Sequence, residues 1–230
     1  MSRPSVKPER MPSTIKRCMR DHIRDVLVRR ILDGSYPAGT QLKELYLARE
    51  FDVSQAPVRE ALRELEGAGL VSSQRFRGTR VHGADFKEMR ESYELRIMLE
   101  TRAVILGTPY TPELLNELSR CLQAMDVAVK ADDSESYIDH ALRFHRKLVE
   151  SSRNRTFLAV WDSLLWDIRG RIALRRLAEQ GISLKPMIPL HRTLLARLRA
   201  QDPQGASEQV RSILERVSAV FEQPGRIPEP

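Results

Sequence analysis

A chain of 230 residues is long enough for two modest domains, each with its own core. Lys and Arg outnumber Asp and Glu by 38 to 31 for a net charge of +7, and the surplus is uneven: 16 basic and 10 acidic residues lie in 1–82, against 22 and 21 in 83–230. A basic front third beside a nearly neutral remainder fits phosphate attraction by one domain and argues against a uniformly basic surface.

The first dozen residues, MSRPSVKPERMP, carry Pro and charge but no apolar stretch. They read as a disordered arm over 1–12, not as a secretion signal. No apolar run anywhere approaches the ~20 residues of a membrane span, which points to a cytoplasmic protein. Cys18 and Cys121 fall in separate predicted helices without metal-type spacing, so both read as reduced structural thiols. A helix is predicted over 13–33, with Ile23, Leu27 and Ile31 on its apolar side and Gly34 at its stop.

Residues 40–82, TQLKELYLAREFDVSQAPVREALRELEGAGLVSSQRFRGTRVH, then read as a short helix, a turn, a second basic helix and a Gly-tipped hairpin. Ser54 is placed to cap the second helix through its hydroxyl, Pro57 falls in the first turn where its missing N–H costs nothing, and Gly69 is placed to end the helix with positive φ. Val58, Ala61, Leu62 and Leu65 share one face, which belongs to a core. Gln55, Arg59 and Arg63, four apart, project together from another. A helix carrying Arg and Gln on its outer stripe suits the DNA major groove, where both side chains hydrogen-bond base edges. Extended runs near 70–73 and 79–82 flank QRFRG, so Arg75, Arg77 and Arg80 read as a wing on the DNA backbone or minor groove. The composition changes near 83–85, where a domain boundary is expected.

Everything beyond reads helical, with predicted helices at 86–107, 112–131, 134–152, 154–179, 187–201 and 203–222. Six helices over this length make a bundle, and no repeat recurs to suggest a solenoid. The fold class is therefore mostly α: a winged helix-turn-helix domain with a small β-hairpin wing over 13–83, an all-α effector bundle over 84–223, and a disordered tail over 224–230.

The run LAREFDVSQAPVREALRELEGAGLV, followed by RFRGTRV, resembles the winged helix-turn-helix of the GntR family of bacterial transcription regulators. The resemblance implies that Arg59 is the recognition-helix arginine and that Gln55 holds a second base- or phosphate-contacting position, where many relatives carry Arg. Relatives also often have a basic residue where this chain has Leu45; Lys43 and Arg49 are nearby cations. With Ser54, Pro57, Arg63, Arg75, Arg77, Gly78 and Thr79, these residues make up the expected DNA surface. In the second half, ELRIMLE, FHRKLVESSRNRTFL and HRTLLARLRAQDP are similar to the helical FCD effector domain of the FadR subgroup, and six helices would suit its smaller, VanR-like branch. That resemblance implies a homodimer on a short inverted-repeat operator in double-stranded DNA, and an internal pocket for a small carboxylate effector.

Many members of that subgroup hold a divalent metal with an Asp and three His. Here the Asp position is Ala141 and the third His position is Ile213, leaving His145 and His191. Two donors fall short of the three or more a metal site usually needs, so no cofactor is expected and a metal on His145 and His191 is disfavoured. Both histidines instead read as effector contacts, since imidazole donates, accepts or pairs with an acid. Arg96 either clamps a carboxylate bidentately or pairs with Glu100 one turn on. Asn154 reads as a helix cap, and Trp166 as a core residue that also borders the pocket. No nucleophile motif, phosphate loop or complete metal set points to an enzyme. An architectural DNA protein would explain the basic front but not the bundle.

Overall fold

The computed structural model describes residues 13–74, 78–82 and 85–222, without the side chains of 13–18 and 74. The arm expected at 1–12, the wing cations Arg75 and Arg77 and the tail expected at 224–230 lie outside these residues. The chain divides into two compact units, Met1–Gly83 and Ala84–Pro230.

In the first unit, helix α1 (Ser13–Leu32) packs against α3 (Gln55–Gly67), with the short α2 (Glu44–Glu50) beside it. The predicted stripe of α3 is the one that is buried: Val58, Ala61 and Leu65 have no exposed surface, and neither do Ile23 and Leu27 of α1, the helix that α3 packs against. Burying each larger apolar side chain contributes about 1.5–3 kcal/mol, more than the helix propensity of any surface residue. Ser54 does precede α3 in an extended conformation, but its side chain makes no capping hydrogen bond. Position was legible there and the bond was not, because hydroxyl direction is a rotamer choice. At the other end, Gly69 takes φ +75°, its N–H reaches Glu66 O at 3.0 Å, and Leu70 N–H reaches Leu65 O at 2.9 Å. This left-handed closure turns the chain straight into the sheet.

That sheet has three strands, not the expected two. β1 (Gln41–Leu42), β2 (Val71–Gln74) and β3 (Gly78–Val81) lie antiparallel in the order β1-β3-β2. Ser73 pairs with Thr79 and Gln41 with Arg80. Two residues are too few for β1 to show any alternation, so only its pairing with β3 reveals it.

The second unit is a bundle of α4 (Phe86–Leu106), α5 (Pro112–Lys130), α6 (Ser134–Ser151), α7 (Arg155–Ser163), α8 (Trp166–Glu179), α9 (Met187–Arg199) and α10 (Pro203–Ser218), closed by a 3-10 turn at Ala219–Phe221. Side-chain oxygens of Asp85, Thr111, Asp133, Asn154 and Asp202 cap α4, α5, α6, α7 and α10. Each satisfies first-turn N–H groups that would otherwise have no partner. α4 packs on α10, α6 and α7, and α5 on α6 and α9. Phe144, Leu118, Leu148 and Leu194 are fully buried. Cys121 is a buried free thiol.

The helix expected over 154–179 is two helices, so the described residues of this unit hold seven α-helices where the sequence reading counted six. The count that pointed to the VanR-like branch is therefore not met. The break falls at Leu165, which takes the left-handed conformation at φ 52° and ψ 50°. No Gly or Pro marks it, and apolar periodicity runs through it undisturbed. What holds it is Arg169, which is buried: its Nη1 donates to Leu164 O at 3.0 Å, its Nε to Ser92 Oγ at 3.0 Å and its Nη2 to Glu88 Oε1 at 2.5 Å. A side chain far along the sequence from Ser92 and Glu88 thus supplies the donors that the interrupted helix lacks. Arg169→Met should lower stability by about 1–3 kcal/mol, through the acceptors it leaves without a donor. Urea unfolding of the full chain measures this; an unchanged midpoint would show that the break does not depend on Arg169.

Candidate functional site

On α3 the outer stripe is in place: Gln55, Arg59 and Arg63 are all exposed, opposite the buried face. Arg59 does not extend freely. Its Nε lies 3.2 and 3.1 Å from the two carboxylate oxygens of Glu44, and its Nη2 2.8 Å from Oε2. Glu44 opens α2, and the sequence reading missed it because a partner fifteen residues away lies beyond any helical spacing. Both groups are partly exposed, so the pair is an orienting contact more than a stabilising one. Lys43, also exposed, places its Nζ 5.4 Å from the ring centre of Tyr46, itself an exposed aromatic on α2. Ser54, Arg49 and Gly78 are exposed too. Two of the expected DNA residues are not surface groups. Pro57 is buried in the first turn of α3, and Thr79 is buried with its hydroxyl 3.0 Å from Ser73 Oγ, so these two serve packing and the sheet.

In the bundle, α4, α6, α8, α9 and α10 surround a cavity of about 90 Å³. Arg96, His145 and His191 all line it, which brings together three groups from three helices. At their centre is Glu100, fully buried. One carboxylate oxygen accepts from Arg96 Nε at 2.5 Å and Trp161 Nε1 at 3.0 Å; the other lies 2.5 Å from His145 Nδ1. The i,i+4 pairing weighed for Arg96 is therefore present, and Arg96 faces the cavity as well. Its guanidinium also stacks 4.5 Å from the Trp166 ring. Trp166 does not border the cavity as expected; it lies behind Arg96, edge-on to Tyr93 at 5.1 Å.

Hydrogen-bond geometry fixes where the protons sit. His191 Nδ1 lies 2.7 Å from Met187 O, which can only accept, so Nδ1 carries the hydrogen. In neutral His191 the Nε2 is then an acceptor, and the proton in its 3.2 Å contact with His145 Nε2 belongs to His145. One further proton bridges His145 Nδ1 and Glu100. With both contacts of His145 made as hydrogen bonds, Arg96, Glu100, His145 and His191 together carry one positive charge in excess, whichever of His145 and Glu100 holds the bridging proton. Burial pushes the Glu100 carboxyl up, but Arg96 and His145 outweigh it and hold the group down at about 2. His191 is driven down to about 3, first by burial and then by the charge of His145, with the Met187 carbonyl opposing.

The metal implied by the family resemblance does not fit these residues. Only the two imidazoles remain as donors, and the positions that would complete the set, Ala141 and Ile213, line the cavity with hydrocarbon. Among the described residues no three His, Cys, Asp or Glu side chains are grouped so as to hold a metal ion. Asp139, close to His145 in sequence, is exposed and paired with Arg171 at 3.1 Å. Asn154 accepts from the N–H groups of Thr156 and Phe157, as a cap. The sequence reading did not anticipate Tyr137 and Arg216 in the cavity wall.

No described helix is long and apolar enough to cross a membrane. Residues 19–81 match the model of bacterial regulatory proteins of the gntR family, and residues 91–216 match the FCD domain. The chain is 30% identical over 198 residues to a probable D-xylose utilization operon transcriptional repressor of Paenarthrobacter nicotinovorans, covering 84% of this chain and 86% of the relative. It is 31% identical over 177 residues to a gluconate operon transcriptional repressor of Bacillus licheniformis, covering 75% and 72%. The solved structure of E. coli McbR/YncC superposes with a TM-score of 0.70 at 25% identity, over 89% of this chain and 97% of that one. With the outward Gln55, Arg59 and Arg63 stripe of α3, its helical bundle and these matches along both units, the chain belongs to the GntR family of bacterial regulatory proteins, in the group that carries an FCD domain, and is a DNA-binding transcription regulator, not an enzyme.

Proposed function

We propose that this regulator is a cytoplasmic, homodimeric repressor of a catabolic operon, controlled by a small carboxylate that binds without a resident metal. The observation that carries the effector reading is the excess positive charge of the Glu100 cluster on the wall of an internal cavity. A buried charge without a counter-ion is costly, and an anion entering the cavity relieves that cost. Repression of a metabolic operon is what the names of the two relatives say of those proteins, and it is the natural role for a chain of the same build. In the dimer, effector binding favours one of two arrangements that differ in half-site spacing, and so shifts the population that fits the operator.

DNA recognition is expected to centre on Arg59, with Gln55 and Arg63 beside it and Lys43, Arg49, Arg75 and Arg77 supplying phosphate attraction. Glu44 keeps Arg59 oriented until a base edge replaces it. A symmetric dimer presents two copies of α3, so the operator should be a short inverted repeat. Arg59→Ala should weaken operator binding about ten- to hundredfold and flatten discrimination between related sites, while binding to random DNA changes little. Fluorescence anisotropy on operator and scrambled duplexes at matched salt reads both quantities. Equal losses on the two would reduce Arg59 to a phosphate contact.

The cluster also predicts an acid response. His191 and Glu100 both have folded-state values below their ordinary ones of 6.5 and 4.5, so the unfolded chain binds more protons and stability falls with falling pH. The His191 contribution is complete above about 6.5 and is lost toward about 3; that of Glu100 is complete above about 4.5 and is lost toward about 2. His191→Gln should flatten the decline between pH 6.5 and 4.5 and leave the Glu100 decline below it. Chemical denaturation across this range checks the sign, and a variant that keeps the full slope would contradict the assignment. The same variant should lose the melting shift that an effector carboxylate gives the parent protein, worth about 2.7 kcal/mol at a hundred times its dissociation constant, with operator binding retained.

A further inference from the structure

Beyond the polar cluster, the cavity wall is hydrocarbon: Ile138, Leu142, Leu174, Leu177, Ile213 and Val217 line it. Ala141, Gly170 and Ala173 lie among them and leave the space open. Few polar side chains interrupt this wall. Tyr93 is buried against Trp166 and the Arg96 guanidinium. Ser183 is exposed and Arg216 half-buried, so both stand at the solvent side, and Tyr137 alone is a buried polar group on the wall away from the cluster and Tyr93.

We infer that the effector is a monocarboxylic acid with an apolar body, in place of the hydroxylated sugar or sugar acid that the names of the similar repressors would suggest. This rests on the carboxylate reading above and narrows it. The cluster offers one unit of excess charge, which one carboxylate neutralises. Every hydroxyl of a sugar acid would need a partner on a wall that supplies almost none, and each one left without a partner costs about tenfold or more in affinity. A methylene on the same wall gains about three- to fourfold. A cavity of about 90 Å³ suits a small ligand such as a short aliphatic or single-ring aromatic acid.

Titration calorimetry on the full chain with butanoate, hexanoate, octanoate, adipate, gluconate and D-xylose tests this. The dissociation constant should fall about three- to fourfold per methylene until the cavity is full. Hexanoate should bind at least about ten times more tightly than gluconate or D-xylose. Ala173→Leu fills part of the hydrocarbon wall and should move the optimum to a shorter acid, an outcome that a purely structural role for Ala173 would not give. Gluconate binding as tightly as hexanoate, or affinity indifferent to chain length, overturns the apolar-body inference while leaving the carboxylate reading intact. Adipate binding more tightly than hexanoate overturns the single-carboxylate part and assigns the second anion to Arg216. Binding of D-xylose alone, or of none of the acids, overturns the carboxylate reading itself. The wild-type series decides between these outcomes even if the variant fails to fold.

Discussion

The bundle depends on one buried carboxylate. Glu100 has no exposed surface, and it survives there because Arg96, His145 and Trp161 all point hydrogen-bonding groups at it. A lone carboxylate in that position would protonate or unfold the site. These donors come from α4, α6 and α7, so satisfying one charge fixes three helices relative to one another. His191 from α9 joins through His145. The consequence for function is that the effector does not meet a loose arginine and two loose histidines. In the proposed complex it would meet a set already oriented by Glu100, with one unit of positive charge left over.

A similar economy is visible on the recognition helix. Arg59 is held by Glu44 in the absence of DNA, so the guanidinium is presented in a defined direction and not as a free chain. Glu44 can perform this only because α2 and α3 pack at the angle that a helix-turn-helix imposes. In the proposed DNA complex the carboxylate would also discourage close approach of a phosphate at that spot, which would leave a guanine edge as the better exchange partner.

Replacement of metal ligands by Ala141 and Ile213 changes what the cavity can recognise. Where a metal would bind an anion through its own charge, the proposed site would use a balance of protein charges. The two histidines contact each other at 3.2 Å, and His191 hydrogen-bonds to the Met187 carbonyl. The space next to it is lined by methyl and methylene groups, which favours different effector chemistry from a polar, metal-centred pocket.

Much of this protein was legible in sequence. Periodic apolar positions gave the helices of both units, and Asn154 marked a helix start because side-chain caps act within three residues. The outward stripe of Gln55, Arg59 and Arg63 followed from helical spacing alone, and family-matched positions brought Arg96, His145 and His191 into view. What required the tertiary structure is of another kind. The break at Leu165 has no local signal, since Arg169 imposes it from contacts with α4. β1 is too short to alternate and exists only through its pairing with β3. Glu100 as the hub, Glu44 as the partner of Arg59, and Trp166 behind Arg96 instead of on the cavity all depend on which helices meet. Local chemistry is written in neighbouring residues and can be read from them; the partners of a buried charge are chosen by packing, which brings together residues that no spacing in the chain connects.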